Sequence, residues 1–324
     1  MPCQRSGRGA RSTHHQHINM SINISTKLCG IKLSNPTILA SGILGVTASS
    51  MLNVINNGAG AVTTKSCDLE GRPGHPNPKV ISYEHGLLNC FGLTNPGIKE
   101  KIGIIKEFKT KSDQPIILSI FAKTVDDFGK IAKLADSSAA DIIEVNISCP
   151  NVQEHGKPFS FDPQNSASVT KIVKKNTSKP IFVKLSPITS EIVDVAKACK
   201  DAGADGITAI NTLGPGMVIN IDISKPVLSN KVGGVSGPAI RPIAVKCVYE
   251  IYKETKMPII GMGGVINGHD AIEMMMAGAS AVGIGSGVYY KGIEVFKKIN
   301  DEIKSFMKEK GLNSLKDIIG KAHE

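Results

Sequence analysis

The sequence predicts an α/β protein folded as a (β/α)8 TIM barrel, and three features carry that expectation. From residue 36 onward, short apolar runs rich in β-branched residues alternate with amphipathic stretches of helical length, the pattern of a parallel sheet with crossover helices. A Gly-Ala step recurs just ahead of several of these runs. The long irregular stretches 66–95, 149–164 and 213–237 each follow a strand-like run, which gathers them on the C-terminal face, where barrel enzymes build their sites. A doubly wound open sheet is the alternative assembly of the same units.

Taken in order, the chain starts with MPCQRSGRGARSTHHQH, a polar, basic stretch without a periodic apolar face, so residues 1–20 are expected to be a disordered leader, with Met20 the initiator. Residues 21–324 are expected to form a single domain. Ile22–Leu28 and Ile31–Leu33 flank Cys29-Gly30 and read as a hairpin that closes the bottom of the barrel. The eight strands expected are Thr37–Ala40, Ala61–Lys65, Ile116–Phe121, Ile142–Ile147, Ile181–Leu185, Gly206–Asn211, Ile259–Met262 and Ala281–Gly285. The steps Gly58-Ala59, Gly203-Ala204 and Gly278-Ala279 precede three of them, with Ser138-Ala139 as a looser copy; glycine there suits the left-handed residue that ends a helix.

Composition narrows the function. Hydrophobic residues make up 41% and charged residues 20%, as in a protein able to bury a large core, while 4% aromatics and no Trp argue against a stacking platform for single-stranded nucleic acid. The net charge of +10 is spread over helical faces such as Lys106–Lys111, Lys171–Lys179 and Lys297–Lys310, so neither a nucleic-acid nor a membrane partner is expected. Seven cysteines without a C-x-x-C pair speak against disulfides, zinc or an iron–sulfur cluster in this chain. No run reaches the roughly 18 apolar residues of a bilayer span, and a cytoplasmic protein is expected.

The chemistry is expected at the strand ends. Lys65 and Lys184 close apolar strands, where a lysine facing a barrel interior is costly unless an anion or cofactor pairs with it. Glu144-Val145-Asn146-Ile147 runs into Ser148-Cys149-Pro150-Asn151, so a thiol opens a long loop that can close over the site, whereas Cys29, Cys67, Cys199 and Cys247 read as inert core thiols. Gly261-Met262-Gly263-Gly264 and Gly283-Ile284-Gly285-Ser286 offer backbone N–H groups for a phosphate after strands seven and eight, joined by the Gly233–Pro238 turn. Asn89, Asn95, Asn146 and Asn211 supply amide donors and acceptors suited to a cyclic imide.

Between Leu33 and Gly287 the motifs Asn35-Pro36, Ala40-Ser41-Gly42, Gly86 to Asn89, Gly92 to Gly97, Asn146 to Asn151, Val183 to Pro187, Ile210-Asn211-Thr212, Gly233 to Pro238 and Gly261 to Gly264 occur in the order that resembles class 1 dihydroorotate dehydrogenases. The resemblance is to the NAD-linked (class 1B) catalytic subunit, through Asn-Ile-Ser-Cys-Pro-Asn-Val and Met-Gly-Gly-Val. It implies an FMN enzyme that oxidises dihydroorotate to orotate in pyrimidine biosynthesis. Ser41, Lys65, Ser66, Ser119, Asn146, Lys184, Ile210, Gly237, Gly263, Gly264, Gly285 and Ser286 would contact FMN. Lys65, Asn89, Cys90, Phe91, Gly92, Leu93, Asn146, Asn211 and Thr212 would hold the pyrimidine. Cys149 would take the C5 proton, and Lys184 would stabilise the reduced cofactor. One position departs: Ser119 stands where many relatives carry an asparagine.

The same resemblance implies a separate subunit carrying FAD and a [2Fe–2S] cluster, on a homodimeric core or in a heterotetramer. Three other readings stay open from sequence: a fumarate-linked class 1A enzyme, a dihydropyrimidine dehydrogenase-like enzyme, and a non-redox phosphate-binding barrel such as an isomerase.

Overall fold

The computed structural model describes residues 22–148, 153–154 and 157–324; the leader through Ser21 and the predicted base Cys149 lie outside the described residues. Eight parallel strands close into a barrel in chain order: β1 (Thr37–Leu39), β2 (Ala61–Thr63), β3 (Ile116–Ile120), β4 (Ile142–Asn146), β5 (Ile181–Leu185), β6 (Gly206–Ala209), β7 (Ile259–Met262) and β8 (Ala281–Ile284). Pairing of Val282 with Thr37 joins β8 to β1. The open doubly wound alternative is thereby excluded. Where a predicted strand runs long, the surplus residues leave the ladder to turn over the barrel mouth: Lys65 N–H donates to Gly45 O (2.7 Å) and Asn211 N–H to Leu185 O (2.9 Å).

Helices α1 (Ala48–Asn56), α2 (Ile98–Lys109), α3 (Val125–Asp136), α4 (Pro163–Lys175), α5 (Ile192–Asp201), α6 (Arg241–Thr255) and α7 (Gly268–Met276) follow the first seven strands. After β8 come a short helix, Ser286–Lys291, and α8 (Val295–Lys310). Side-chain oxygens of Thr47, Thr124, Asp162 and Asn267 cap the starts of α1, α3, α4 and α7 by accepting main-chain N–H bonds. The helix exits at Gly58, Gly203 and Gly278 have φ of +99°, +100° and +123°, as the Gly-Ala step predicts. The looser copy at Ser138 ends its helix without a left-handed residue.

The barrel interior changes character from bottom to top. Period-two alternation turns Ile38, Ile117, Ile142, Phe182, Ile260 and Ala281 inward, and Leu28 and Leu33 of the N-terminal hairpin seal this layer from below. The hairpin pairs Leu28 with Ile31 across a Cys29-Gly30 turn, both residues at positive φ. Gly206 makes room for the Phe182 ring, whose nearest carbon would lie 2.2 Å from a Cβ there. One layer higher the inward residues are Ser119, Glu144, Lys184 and Thr208, brought together by the register Ser119 with Glu144 and Lys184 with Thr208.

The stretches 66–95 and 213–237 are not simply loops, as the sequence suggests. They pair into a four-stranded antiparallel sheet, ordered Leu213–Gly216, Gly233–Ser236, Gly86–Asn89 and Val80–Tyr83, that roofs one side of the barrel mouth. Gly233-Gly234-Val235-Ser236 is therefore a strand and not a turn. Its glycines answer crowding: a Cβ on Gly233 would meet Asn89 O at 2.4 Å, and one on Gly234 would meet Thr212 Oγ1 at 2.2 Å. No helix among the described residues is long and apolar enough to cross a membrane.

Candidate active site

Between the polar top of the barrel and this sheet lies a cavity of about 660 Å³, within the usual range of small-molecule sites. Every strand end but that of β3 contributes to its wall. Ser41 comes from β1, Lys65 and Ser66 from β2, Asn146 and Ser148 from β4, Lys184 from β5, Ile210, Asn211 and Thr212 from β6, Gly263 and Gly264 from β7, and Gly285 and Ser286 from β8. The roof adds Asn89, Cys90, Phe91, Gly92 and Leu93.

Two predicted residues stand behind the wall. Ser119 is fully buried beneath Ser66, and Gly237, at φ +96°, turns the chain between Gly86 and Tyr290. The fourth asparagine, Asn95, is also elsewhere: its Oδ1 accepts from Asp68 N–H and Gly97 N–H, and its Nδ2 donates to Leu93 O. It shapes the turn ahead of α2, while the other three line the cavity.

The floor is a directed chain of hydroxyls. Ser119 Oγ gives its one proton to Glu144 Oε1 (2.8 Å), so Ser66 must donate to Ser119 (2.8 Å) and Ser41 to Ser66 (3.0 Å). Asn146 Nδ2 adds a bond to Ser66 Oγ (3.3 Å). Its Oδ1 accepts from Ser148 Oγ (2.7 Å) and from Asn211 Nδ2 (3.5 Å), and Asn211 Nδ2 also bonds to Ser148 Oγ. These contacts fix the amide orientations of Asn146 and Asn211.

Glu144 and Ser148 were missed as site residues. A carboxylate two residues ahead of Asn146 in an otherwise apolar strand, on the same inward face, is the signal that marks Glu144.

The electrostatics select for an anion. Lys184 Nζ lies 3.9 Å from Glu144 Oε1, both side chains enclosed. Lys65 sits above, its Nζ 4.8 Å from the Phe91 ring centroid. Burial, reinforced by the like charges of Lys184, Lys101 and Lys79, pulls Lys65 down from 10.5 to about 8. Two lysines thus line the cavity with one carboxylate, Glu144, behind Lys184, an imbalance that an anionic ligand removes.

By contrast, burial pushes Cys67 and Cys199 up to about 12 and Cys29 and Cys247 to about 11, so these thiols are inert at neutral pH.

The other end of the cavity suits a phosphate. The main-chain N–H groups of Gly263, Gly264 and Gly285 donate to no backbone carbonyl among the described residues. A Cβ added to Gly285 would have Ala40 Cβ at 3.6 Å as its sole neighbour, so it would project into the ligand space. Ile210, Ile240, Met262 and Val265 provide apolar wall between this cradle and the lysines. Phosphate donors, an apolar flank and a buried ammonium in one cavity fit a flavin mononucleotide.

Fold and site together define a (β/α)8-barrel protein whose cavity suits an anionic, phosphate-bearing ligand. A family described as dihydroorotate dehydrogenase matches residues 23–307 of the sequence, and the chain belongs to that family, whose members are flavin enzymes. The chain is 48% identical over 304 residues to the dihydroorotate dehydrogenase B (NAD(+)) catalytic subunit of Methanocaldococcus jannaschii, covering 93% of this chain and 98% of the relative. It is 42% identical over 304 residues to the same-named subunit of Pyrococcus furiosus, covering 94% and 100%. For that of Methanothermobacter thermautotrophicus the identity is 40% over 309 residues, covering 94% and 100%.

Proposed function

We propose that this chain is the catalytic subunit of an NAD-linked dihydroorotate dehydrogenase, oxidising dihydroorotate to orotate in the synthesis of UMP. The observation that carries the reading is the pairing of Lys65 and Lys184 in one cavity with the amides of Asn146 and Asn211, which matches a cyclic imide bearing a carboxylate. Uracil-type substrates lack that carboxylate and would leave Lys65 uncompensated.

FMN, held by Ser41, Ser66, Lys184, Ile210, Gly263, Gly264, Gly285 and Ser286, supplies the hydride acceptor when bound. Gly237 and Ser119 support it from behind. Lys184 would set a positive charge beside the bound cofactor and favour its reduced, more negative form, with Glu144 tempering that charge. Lys65 and the amides of Asn89, Asn146 and Asn211, with Thr212, orient the ring. Cys90, Phe91, Gly92 and Leu93 cover it and exclude water.

Cys149 follows directly on Ser148, which lines the cavity. Its thiolate takes the proton from C5 while the C6–H bond breaks with its electron pair, leaving a C5–C6 double bond. A separate subunit carrying FAD and [2Fe–2S] would pass the electrons to NAD+. The free buried cysteines fit a reducing compartment such as the cytoplasm.

The test is ligand discrimination in the purified flavoprotein. Orotate is expected to perturb the flavin absorbance and uracil to leave it unchanged at equal concentration. Equal responses to both would favour a dihydropyrimidine dehydrogenase-like reaction, and a colourless protein would sink the redox reading. Reoxidation by fumarate without a partner subunit would move the chain to the fumarate-linked class.

A further inference from the structure

Helix α2 opens immediately after the roof segment that covers the substrate side, and its first turns carry Lys101. This lysine is wholly enclosed. Its Nζ donates to two main-chain carbonyls in the loop after β1, Gly45 O at 3.3 Å and Val46 O at 3.2 Å, and no salt bridge among the described residues includes it. Enclosing a cation without a counter-ion is far costlier than enclosing an alkyl chain, so a packing role alone would be met better by Leu or Met.

The loop it holds is part of the site. Ser41, Gly42 and Ile43 line the cavity, and Gly45 O also accepts the main-chain N–H of Lys65. Gly45 is pressed so closely onto the end of β2 that a Cβ would meet Thr63 O at 2.4 Å and Lys65 N at 2.8 Å. The Lys101 ammonium and the Lys65 main-chain N–H therefore share one carbonyl.

We infer that Lys101 is a positioning residue of the active site, which ties the cofactor-side loop to the helix following the substrate-side segment and sets its enclosed charge behind Lys65. The inference rests on the reading of Lys65 as the partner of the substrate's anion.

The groups that face Lys65 are Lys184 from β5, with Glu144 of β4 beyond it, Lys101 from α2, Lys79 from the loop ahead of the outer roof strand, and the Phe91 ring; His75 lines the same cavity. Lys101 is one of the three cations that depress Lys65, and burial lowers Lys101 in turn. Removing its charge lets Lys65 keep its proton to higher pH.

The experiment measures the dissociation constant of orotate on the FMN-loaded protein between about pH 6 and pH 10, with FMN affinity of the stripped protein as a second readout. Lys101→Met is expected to weaken orotate and FMN binding about fivefold near neutrality, a loss of about 1 kcal/mol, and to move the alkaline limb of orotate binding up by about half a pH unit. Lys101→Arg keeps the cation and is expected to retain the wild-type limb.

If the Met variant does not fold, Lys101→Gln, which keeps an N–H donor on a side chain one bond shorter and loses the charge, should show the same shift of the limb. A folded neutral variant with unchanged limb and unchanged orotate affinity overturns the inference while leaving the proposed function intact. Wild-type protein that binds no orotate removes both.

Discussion

Lys184 Nζ stands 3.9 Å from Glu144 Oε1 on neighbouring strands, in the only enclosed salt bridge among the described residues that faces the cavity. Glu144 is further held by Ser119, so the carboxylate is fixed while the ammonium keeps donors for a ligand. Glu144→Gln should preserve the Ser119 bond but leave Lys184 uncompensated. We expect the cofactor-free protein to lose about 3 kcal/mol of stability and the FMN-loaded protein to lose less, because the cofactor supplies negative charge. Denaturant melts of both forms check this; equal losses would mean that Lys184 does not face the cofactor.

Lys65 gives a pH dependence with a definite sign. Its folded value of about 8 lies below its ordinary 10.5. The folded protein therefore binds fewer protons than the unfolded chain between these values, and this group's contribution to stability rises with pH across that window. Anion binding runs the other way: above pH about 8 the free protein loses the charge, so orotate affinity should fall by up to tenfold per pH unit. Lys65→Met should bind orotate about a hundredfold more weakly at neutral pH, as for loss of a charge-assisted hydrogen bond, with a flat alkaline profile. A sloping profile that survives in this variant would assign the titration to another group.

Cys149→Ser is expected to retain FMN while flavin reduction by dihydroorotate slows by about 10²- to 10⁴-fold near neutrality, since a hydroxyl is a much weaker base than a thiolate. Stopped-flow absorbance measures the rate. An unchanged rate would remove Cys149 from the mechanism.

Gly285→Ala probes the cradle. Gly285 has a negative φ (−114°) and open space on its cavity side, so the alanine methyl meets no crowding atom and stability should change by less than about 1 kcal/mol. The added methyl occupies ligand space, and FMN affinity should drop about tenfold or more. Gly206→Ala is the contrast, because its Cβ would strike the Phe182 ring; it should destabilise the fold by about 1–3 kcal/mol without a specific effect on FMN.

The barrel was legible because its strands are local signals. Ile142-Ile143-Glu144-Val145-Asn146 or Ile181-Phe182-Val183-Lys184-Leu185 can be recognised without knowing their partners, and the glycines at 58, 203 and 278 mark helix exits by a backbone requirement. The roof sheet was not legible. Gly86–Asn89 and Gly233–Ser236 are four residues each, begin with glycine, and pair across nearly half the length of the chain, so neither carries a strand period of its own.

Site residues divide in the same way. Lys65 and Lys184 stand out as charges at the ends of apolar strands, whereas Lys101 is hidden among the lysines of an amphipathic helix. Ser119 carried the expectation of direct cofactor contact; the structure places it one hydroxyl further back, where it serves Glu144 and Ser66.

The central claim is tested most directly by mixing the oxidised protein with dihydroorotate in the absence of oxygen and following the flavin absorbance. Bleaching is expected within the instrument's first seconds, slowed in Cys149→Ser, with reoxidation by NAD+ only when the electron-transferring subunit is added. Flavin that stays oxidised in the presence of excess dihydroorotate would contradict it, leaving the barrel and its anion-binding cavity without the proposed reaction.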